Sequence, residues 1–488
     1  MKNNIFVVFF LIYIIFTSPL IGCETAGEAV CLRDMTFNHA VICKEINDIN
    51  RHDNMEKHNI SLKLDITESF PYNSPVASPL PLPQGGRIIK IGLYQNLKVC
   101  YISCDSGFSV YGEDGEMSLN GSQVLSVKVP ERPVDPHNFF IVPVKIKPQK
   151  RDNVLKLITE NTDGTCTVKC YRGNFQIFLN SKGFITVVNE LSLNEYLAGV
   201  VPNEMPSSFP QEALKSQAIV ARTYTLKHLK KHEKDGFDLC ATQHCQVYGG
   251  IENETPQTNS AVRETIHQMV FYGSELADTV YHSTCGGITA NIENVWFASP
   301  VDYLKSVPAQ INPLYSAFQS EEIFRQFIDN PGECFCHESK LFRWERSYSK
   351  VDLQDILFQG LSGTFDTQIK LGNLVDISVD ERTFDGRVKV LIVKGTEGEY
   401  RVEKDKIRWL TSKGKIAKDA LPSTLFYVYK PDENTISFRG GGWGHGAGLC
   451  QFCAKGMADR GMTSVEIIKY FYRGCVLEYP LWYKNSEQ

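Results

Sequence analysis

Glu204 is the carboxylate in this chain with the neighbours best suited to acid–base chemistry. It lies in LNEYLAGVVPNEMPSSFPQEALKSQAIVARTY, Leu193–Tyr224, where Val200, Val201, Met205 and Pro206 surround it with apolar surface. A carboxylic acid donates a proton at neutral pH only where its surroundings raise its pKa, and apolar neighbours do that. The plainer alternative is a solvated glutamate on a strand-to-helix turn. The segment that follows reads as a helix from Pro210 to about Lys231, with proline suited to the first turn. At 100° per residue, Gln211, Lys215, Ala218 and Arg222 share a face, which is either solvated surface or a wall of the cleft holding Glu204. Lys215 and Arg222 must stand a step away from that acid, because a cation in contact with it would lower its pKa.

Two other groupings carry chemistry. Cys240-Ala-Thr-Gln-His-Cys245, with His232 upstream, offers the ligand types zinc prefers. A local Cys240–Cys245 disulfide is the alternative. The metal reading is favoured, with Cys240, His244, Cys245 and His232 as ligands and His282 competing for the last place. A closed set of four leaves no position for water, so such a metal is structural. The 440–448 run, Gly-Gly-Gly-Trp-Gly-His-Gly-Ala-Gly, lacks the Lys-Ser/Thr of a phosphate loop and the GxGxxG spacing. Its glycines serve close backbone approach to a ligand or a tight crossover that needs positive φ, and Trp443 offers a flat face to a sugar ring. Tyr281-His-Ser-Thr-Cys-Gly-Gly287 looks like a nucleophile site, but Ser283 has no base and acid partners and the nucleophile-elbow spacing is absent. It reads as cleft wall.

The elements that position these groups follow from texture. At 488 residues the chain needs two or three packed units. A net charge of −5 without a basic stripe excludes a nucleic-acid footprint and favours an uncharged or mixed-charge polymer as partner. Residues 1–22 read as a signal peptide: Lys2 precedes a twelve-residue apolar run, Ile5 to Phe16, too short to span a bilayer. Leu20-Ile-Gly-Cys23 resembles a bacterial lipobox, which would make Cys23 a lipidated N-terminus. Residues 23–86 read as a polar, proline-rich spacer, 87–190 as β-rich, 191–310 as the helix-containing part around Glu204, and 311–478 as a further β-rich part (Asn373 to Leu410) with the glycine-rich segment. Asn180-Ser-Lys-Gly183 marks a hairpin turn, and Thr463-Ser-Val-Glu466 is a capping box that opens a last helix, ended by Gly474. Ten of the fifteen cysteines fall in close pairs: Cys100/Cys104, Cys166/Cys170, Cys240/Cys245, Cys334/Cys336 and Cys450/Cys453. On strands, i and i+4 share a face, so the first two pairs are candidates to meet across a sheet.

EYLAGVVPNEMP (195–206), EALKSQAIVARTY (212–224), HCQVYGG (244–250), HSTCGGITANIENVW (282–296), YLKSVP (303–308) and GGGWGHGAGLCQFCAKGMADRG (440–461) together resemble the SpoIID/LytB family over about 88–478. The resemblance implies an α+β, SpoIID-like fold in which β-rich units flank a helix-containing core with a glycan cleft, and it makes 191–310 the catalytic core. It implies an exported peptidoglycan lytic transglycosylase of the cell envelope, acting on glycan strands stripped of stem peptides, with Glu204 as acid and base and Lys215 and Arg222 in support. Tyr281, Ser283, Trp443, His445, Cys450 and Gln451 are the expected glycan-contacting residues, although the family can carry serine at the position of Cys450. The Cys/His cluster matches a zinc site of some members. The alternative within the family is a non-catalytic, glycan-binding enhancer of an N-acetylmuramoyl-L-alanine amidase. Implied partners are glycan strands, an amidase or other wall hydrolase, and a membrane reached through the lipid anchor.

Overall fold

A computed structural model of the chain describes residues 63–67, 86–112, 115–129, 143–150, 152–311, 318, 320–365, 368–412 and 419–479. The signal peptide, the lipobox cysteine Cys23 and most of the spacer lie outside the described residues. Two compact units result, the larger spanning Lys57–Phe70, Ser74–Thr159 and Thr167–Gln488. Of the smaller, the described part is 160–166, where Thr165 donates from its N–H and its hydroxyl to Asp163 Oδ1 (3.0 and 2.6 Å).

The architecture is α+β. Alternating apolar residues make 88–192 a stack of short strands. A seven-stranded sheet runs in the order Leu239–Cys240, Ile88–Leu97, Ile185–Ser192, Asn174–Leu179, Val144–Pro148, Phe108–Gly112, Gly115–Leu119. The hairpin between Asn174–Leu179 and Ile185–Ser192 closes at Asn180, with Gly183 at φ +78°. A five-stranded sheet is ordered Lys63–Thr67, Val124–Lys128, Val99–Ser103, Leu155–Glu160, Cys166–Tyr171. Its first strand corrects the spacer reading: KLDIT alternates, and it pairs antiparallel with Val124–Lys128. Neither i, i+4 cysteine pair forms a bridge, since Cys100, Cys104 and Cys170 are free thiols and Cys166 is disulfide-bonded elsewhere.

The chain enters helix α1, Leu193–Glu204, directly from the Ile185–Ser192 strand. A capping box starts it: Glu195 N–H donates to Ser192 Oγ, and Ser192 N–H donates to the Glu195 carboxylate. Pro202 lies in its last turn. Glu204 therefore ends a helix instead of sitting on a strand-to-helix turn. Helix α2, Gln211–Lys227, is buried from Ala213 to Leu226 apart from Lys215, because α1, α3 (Pro256–Glu264), α7 (Gln451–Ala458) and α8 (Ser464–Phe471) pack around it. A helix covered on all sides keeps its polar residues only by satisfying them locally. Ser216 and Thr223 each donate a hydroxyl to a carbonyl one turn back.

The remaining helices are α4 (Ile292–Val295), α5 (Glu321–Asp329) and α6 (Lys350–Thr364). A second apolar core gathers α6, the sheet of Leu374–Arg382, Val388–Gly395 and Glu399–Glu403, and the strands Trp344–Ser349, Phe426–Asp432 and Thr435–Gly440. From there the glycine run returns the chain to the first core, where Leu449–Cys450 pairs in parallel with Tyr281–His282. The 463–466 capping box opens α8, as its sequence implies. Among the described residues, no helix is long and apolar enough to cross a membrane.

Candidate active site and metal centre

The Glu204 carboxyl is at the C-terminal end of α1, where unpaired carbonyls disfavour a negative charge and no basic residue stands in the last turn. Val247 N–H donates to its Oε1 at 2.7 Å, and the Tyr281 hydroxyl bonds the same group. Burial outweighs both bonds and pushes its pKa up to about 7. The residue is nonetheless partly exposed, so a proton can pass between it and a bound molecule. Helix α1 approaches the 247–250 segment closely because residue 199 is glycine: a Cβ there would lie 2.5 Å from the Tyr248 ring and 2.6 Å from Gly250 O. Gly249 N–H donates to Gly199 O, which fixes the loop that presents Val247.

Gln246 sets the direction of the tyrosine bond. Its buried Oε1 accepts from Thr225 Oγ1 (2.7 Å) and Tyr196 OH (3.3 Å). Its Nε2 donates to Ala221 O (3.3 Å) and to the Tyr281 oxygen (3.1 Å). With its oxygen accepting from Gln246, the Tyr281 hydroxyl has its proton free for Glu204. Tyr281 in turn meets the glycine-rich segment, where its carbonyl accepts from His445 Nε2 at 2.7 Å. Gly442, Gly444, Gly446 and Gly448 all have φ between +71° and +112°, so this segment is the tight crossover that glycine alone tolerates.

The other expected site residues divide sharply. Trp443 is 45% exposed and free to present its ring. Ser283 is half-buried, with its hydroxyl 3.3 Å from Thr284 Oγ1. Lys215 is held by Glu212 (2.9 Å) and Glu264 (2.6 Å), and it does not bear on Glu204. Arg222 is fully buried, donating to Thr265 O (2.7 Å), Val262 O (3.2 Å) and Gln268 O (3.4 Å); it ties α2 to the end of α3 and does not reach a cleft. His445 has both ring nitrogens engaged, Nδ1 accepting from Ala447 N–H, so it braces the crossover and has no nitrogen left for a glycan. Gln451 is buried, its amide donating to Gln217 on α2. Cys450 is buried with Cys285, Cys336 and Cys453 and cannot line a cleft. Each of these four sits where helix or sheet packing needs a polar anchor, which residue type alone does not distinguish from a binding group.

His232, Cys240, His244 and Cys245 bring one ligand atom each to within 4.8 Å of one another. His232 Nε2 is 3.2 Å from His244 Nδ1, and both sulfurs are 3.7 Å from that nitrogen. These spacings suit the edges of a tetrahedral site. Asp235 Oδ2 holds His232 Nδ1 at 3.0 Å, leaving Nε2 to face the cluster, as a carboxylate behind a metal-binding histidine does. The residues thus fit a metal ion. His282, the competitor, is buried elsewhere with Nδ1 on Ala447 O.

Gln246 and Val247 are the site residues to which sequence reasoning assigned no role. The signal was their place in HCQVYGG, immediately after the ligand pair. The stage II sporulation protein model of the SpoIID family matches residues 181–272, and a domain of unknown function, DUF8618, matches 290–448. An uncharacterised protein of Brachyspira hyodysenteriae is 31% identical over 325 residues, covering 65% of this chain and 75% of its own. The amidase enhancer of Bacillus subtilis is 29% identical over 297 residues, 58% of this chain and 40% of that protein. Stage II sporulation protein D of the same organism is 26% identical over 303 residues, 59% and 74% of the two chains. Family model, relatives and α+β architecture agree, and this chain belongs to the SpoIID family.

Proposed function

We propose that this is an exported cell-envelope protein that cleaves the glycan strands of peptidoglycan as a lytic transglycosylase, with Glu204 as its single acid and base. The observation that carries the reading is the Glu204 carboxyl poised at about 7 between Val247 N–H and Tyr281 OH. A group so placed holds its proton and releases it with similar ease at neutral pH. Protonated Glu204 donates to the oxygen linking N-acetylmuramic acid C1 to N-acetylglucosamine, and the C1–O bond breaks. The resulting carboxylate takes the proton of the muramic C6 hydroxyl, whose oxygen closes on C1. The products are a 1,6-anhydro end and a free hydroxyl on the departing sugar. No water is consumed. Tyr281 OH and Val247 N–H steady the carboxylate in the interval, and Trp443 is the candidate platform for a sugar ring.

A two-carboxylate hydrolysis assisted by Glu195 or Glu212 is disfavoured. Glu195 caps the opposite end of α1, about 13 Å away along the axis, beyond the roughly 5–9.5 Å that such pairs span. Glu212 is engaged by Lys215 and by Ser464 N–H. Zinc at His232, Cys240, His244 and Cys245 would act structurally, pinning the loop that delivers Val247. Export rests on the apolar run after Lys2, and anchoring on Cys23.

The second reading, a non-catalytic enhancer of an amidase, is favoured by the likeness to the Bacillus subtilis amidase enhancer. Denuded glycan strands incubated with purified protein and with Glu204→Gln separate the two. The enzyme reading expects anhydro-muramic ends by mass spectrometry and a loss of roughly 10²–10⁴-fold in the variant with binding retained. Reducing ends, or no cleavage together with amidase stimulation that survives the substitution, would overturn it.

A further inference from the structure

We propose that Cys285, Cys336, Cys450 and Cys453 hold a single zinc ion inside the protein core, a second metal centre separate from the His232 cluster. All four side chains are fully buried, at 0% exposure. Their sulfurs lie within 4.8 Å of one another, with Cys285 Sγ 3.7 Å from Cys336 Sγ and 3.6 Å from Cys453 Sγ. Zinc–sulfur bonds of about 2.3 Å place tetrahedral thiolates about 3.8 Å apart, which these separations approach. Clusters of several irons spread their thiolates wider. Each sulfur also interacts with the other three, the contact pattern of a tetrahedron around one centre.

The surroundings suit thiolates. Cys450 caps the N-terminus of α7, and its sulfur accepts from Cys453 N–H (3.4 Å) and Cys285 N–H (3.2 Å). Amide donors at the positive end of a helix favour sulfur in its anionic form. Zinc with four thiolates carries two net negative charges, and two guanidinium groups stand beside it. Arg343 bonds Gly286 O at 2.9 Å and Arg387 bonds Cys285 O at 3.5 Å, the latter shared with Asp385. Buried charge of this kind persists only where opposite charge meets it.

Three segments separated by up to 168 residues meet at this point, because Cys450 and Cys453 share the start of α7. The ion would clamp the Tyr281–His282 strand to the Leu449–Cys450 strand, four residues from the tyrosine that faces Glu204. The proposal does not depend on the glycan reading. Its rival is two disulfides, which an oxidising compartment permits.

The test is zinc content of the full chain by plasma mass spectrometry, in the protein as purified and in His244→Ala. About one zinc per chain is expected to remain in that variant, with an X-ray absorption shell of four sulfurs near 2.3 Å. Adding Cys453→Ser to it should remove the remainder. In case that variant does not fold, the wild-type chain is denatured with chelator and alkylated without reductant; all four cysteines are expected to react. Resistance of the quartet to alkylation until reductant is added overturns the proposal in favour of disulfides. Reactive thiols with no zinc left in folded His244→Ala overturn it equally.

Discussion

The end of α1 and the neighbouring face of α2 handle charge in opposite ways. Glu204 has a hydroxyl and an amide for company and no cation, and burial keeps its proton on. Lys215 and Arg222, in the second and fourth turns of the next helix, are both engaged, Lys215 by two carboxylates and Arg222 by a ring of carbonyls. The comparison teaches that a buried carboxyl without a cation keeps its proton exchangeable near neutral pH, whereas cations matched by carboxylates or carbonyls hold helices together.

Breaking the matched side should cost stability first. Arg222→Ala strands several buried carbonyls, so a loss of about 3–5 kcal/mol is expected by denaturant unfolding. Arg222→Lys should recover little, because one ammonium cannot reproduce the guanidinium fork. On the unmatched side the sign reverses. The folded pKa of Glu204 is raised, so its contribution to stability is complete at low pH and is lost as pH climbs through about 7. Glu204→Gln should therefore be more stable than the wild type at pH 8, by up to about 2–3 kcal/mol, and gain nothing at pH 4. A smaller effect should follow chelation of the His232 cluster: faster hydrogen exchange over 240–248 and roughly tenfold lower activity. Tyr281→Phe removes a bond that lowers the Glu204 pKa, so the alkaline limb of the pH–activity profile should move upward. Lys215→Ala comes last, with activity nearly unchanged and under about 1 kcal/mol lost.

How far these regions were legible depends on how local their logic is. The burial of Glu204 was readable because its apolar neighbours are adjacent in sequence, and the convergence of His232, Cys240, His244 and Cys245 because these candidate ligands fall within fourteen residues. The strands of 88–192 announce themselves by alternation, and α8 by its capping box. Arg222 was misread because helical periodicity gives a face but not what covers it; α3 does so from forty residues away. Cys450 and Gln451 failed for the same reason, since their partners Cys285 and Gln217 are far along the chain. The C-terminal turn of α1 was hidden by Pro202, which breaks helices in most settings yet here sits where the helix is ending.

The measurement that tests the central claim most directly is a carbon-13 NMR titration of the glutamate side-chain carboxyls, with Glu204→Gln used to assign the resonance that disappears. The account expects that resonance to titrate with a midpoint near 7. A midpoint in the ordinary carboxylate range, about 4–4.5, would contradict it, because Glu204 would then be ionised at neutral pH with no proton to give.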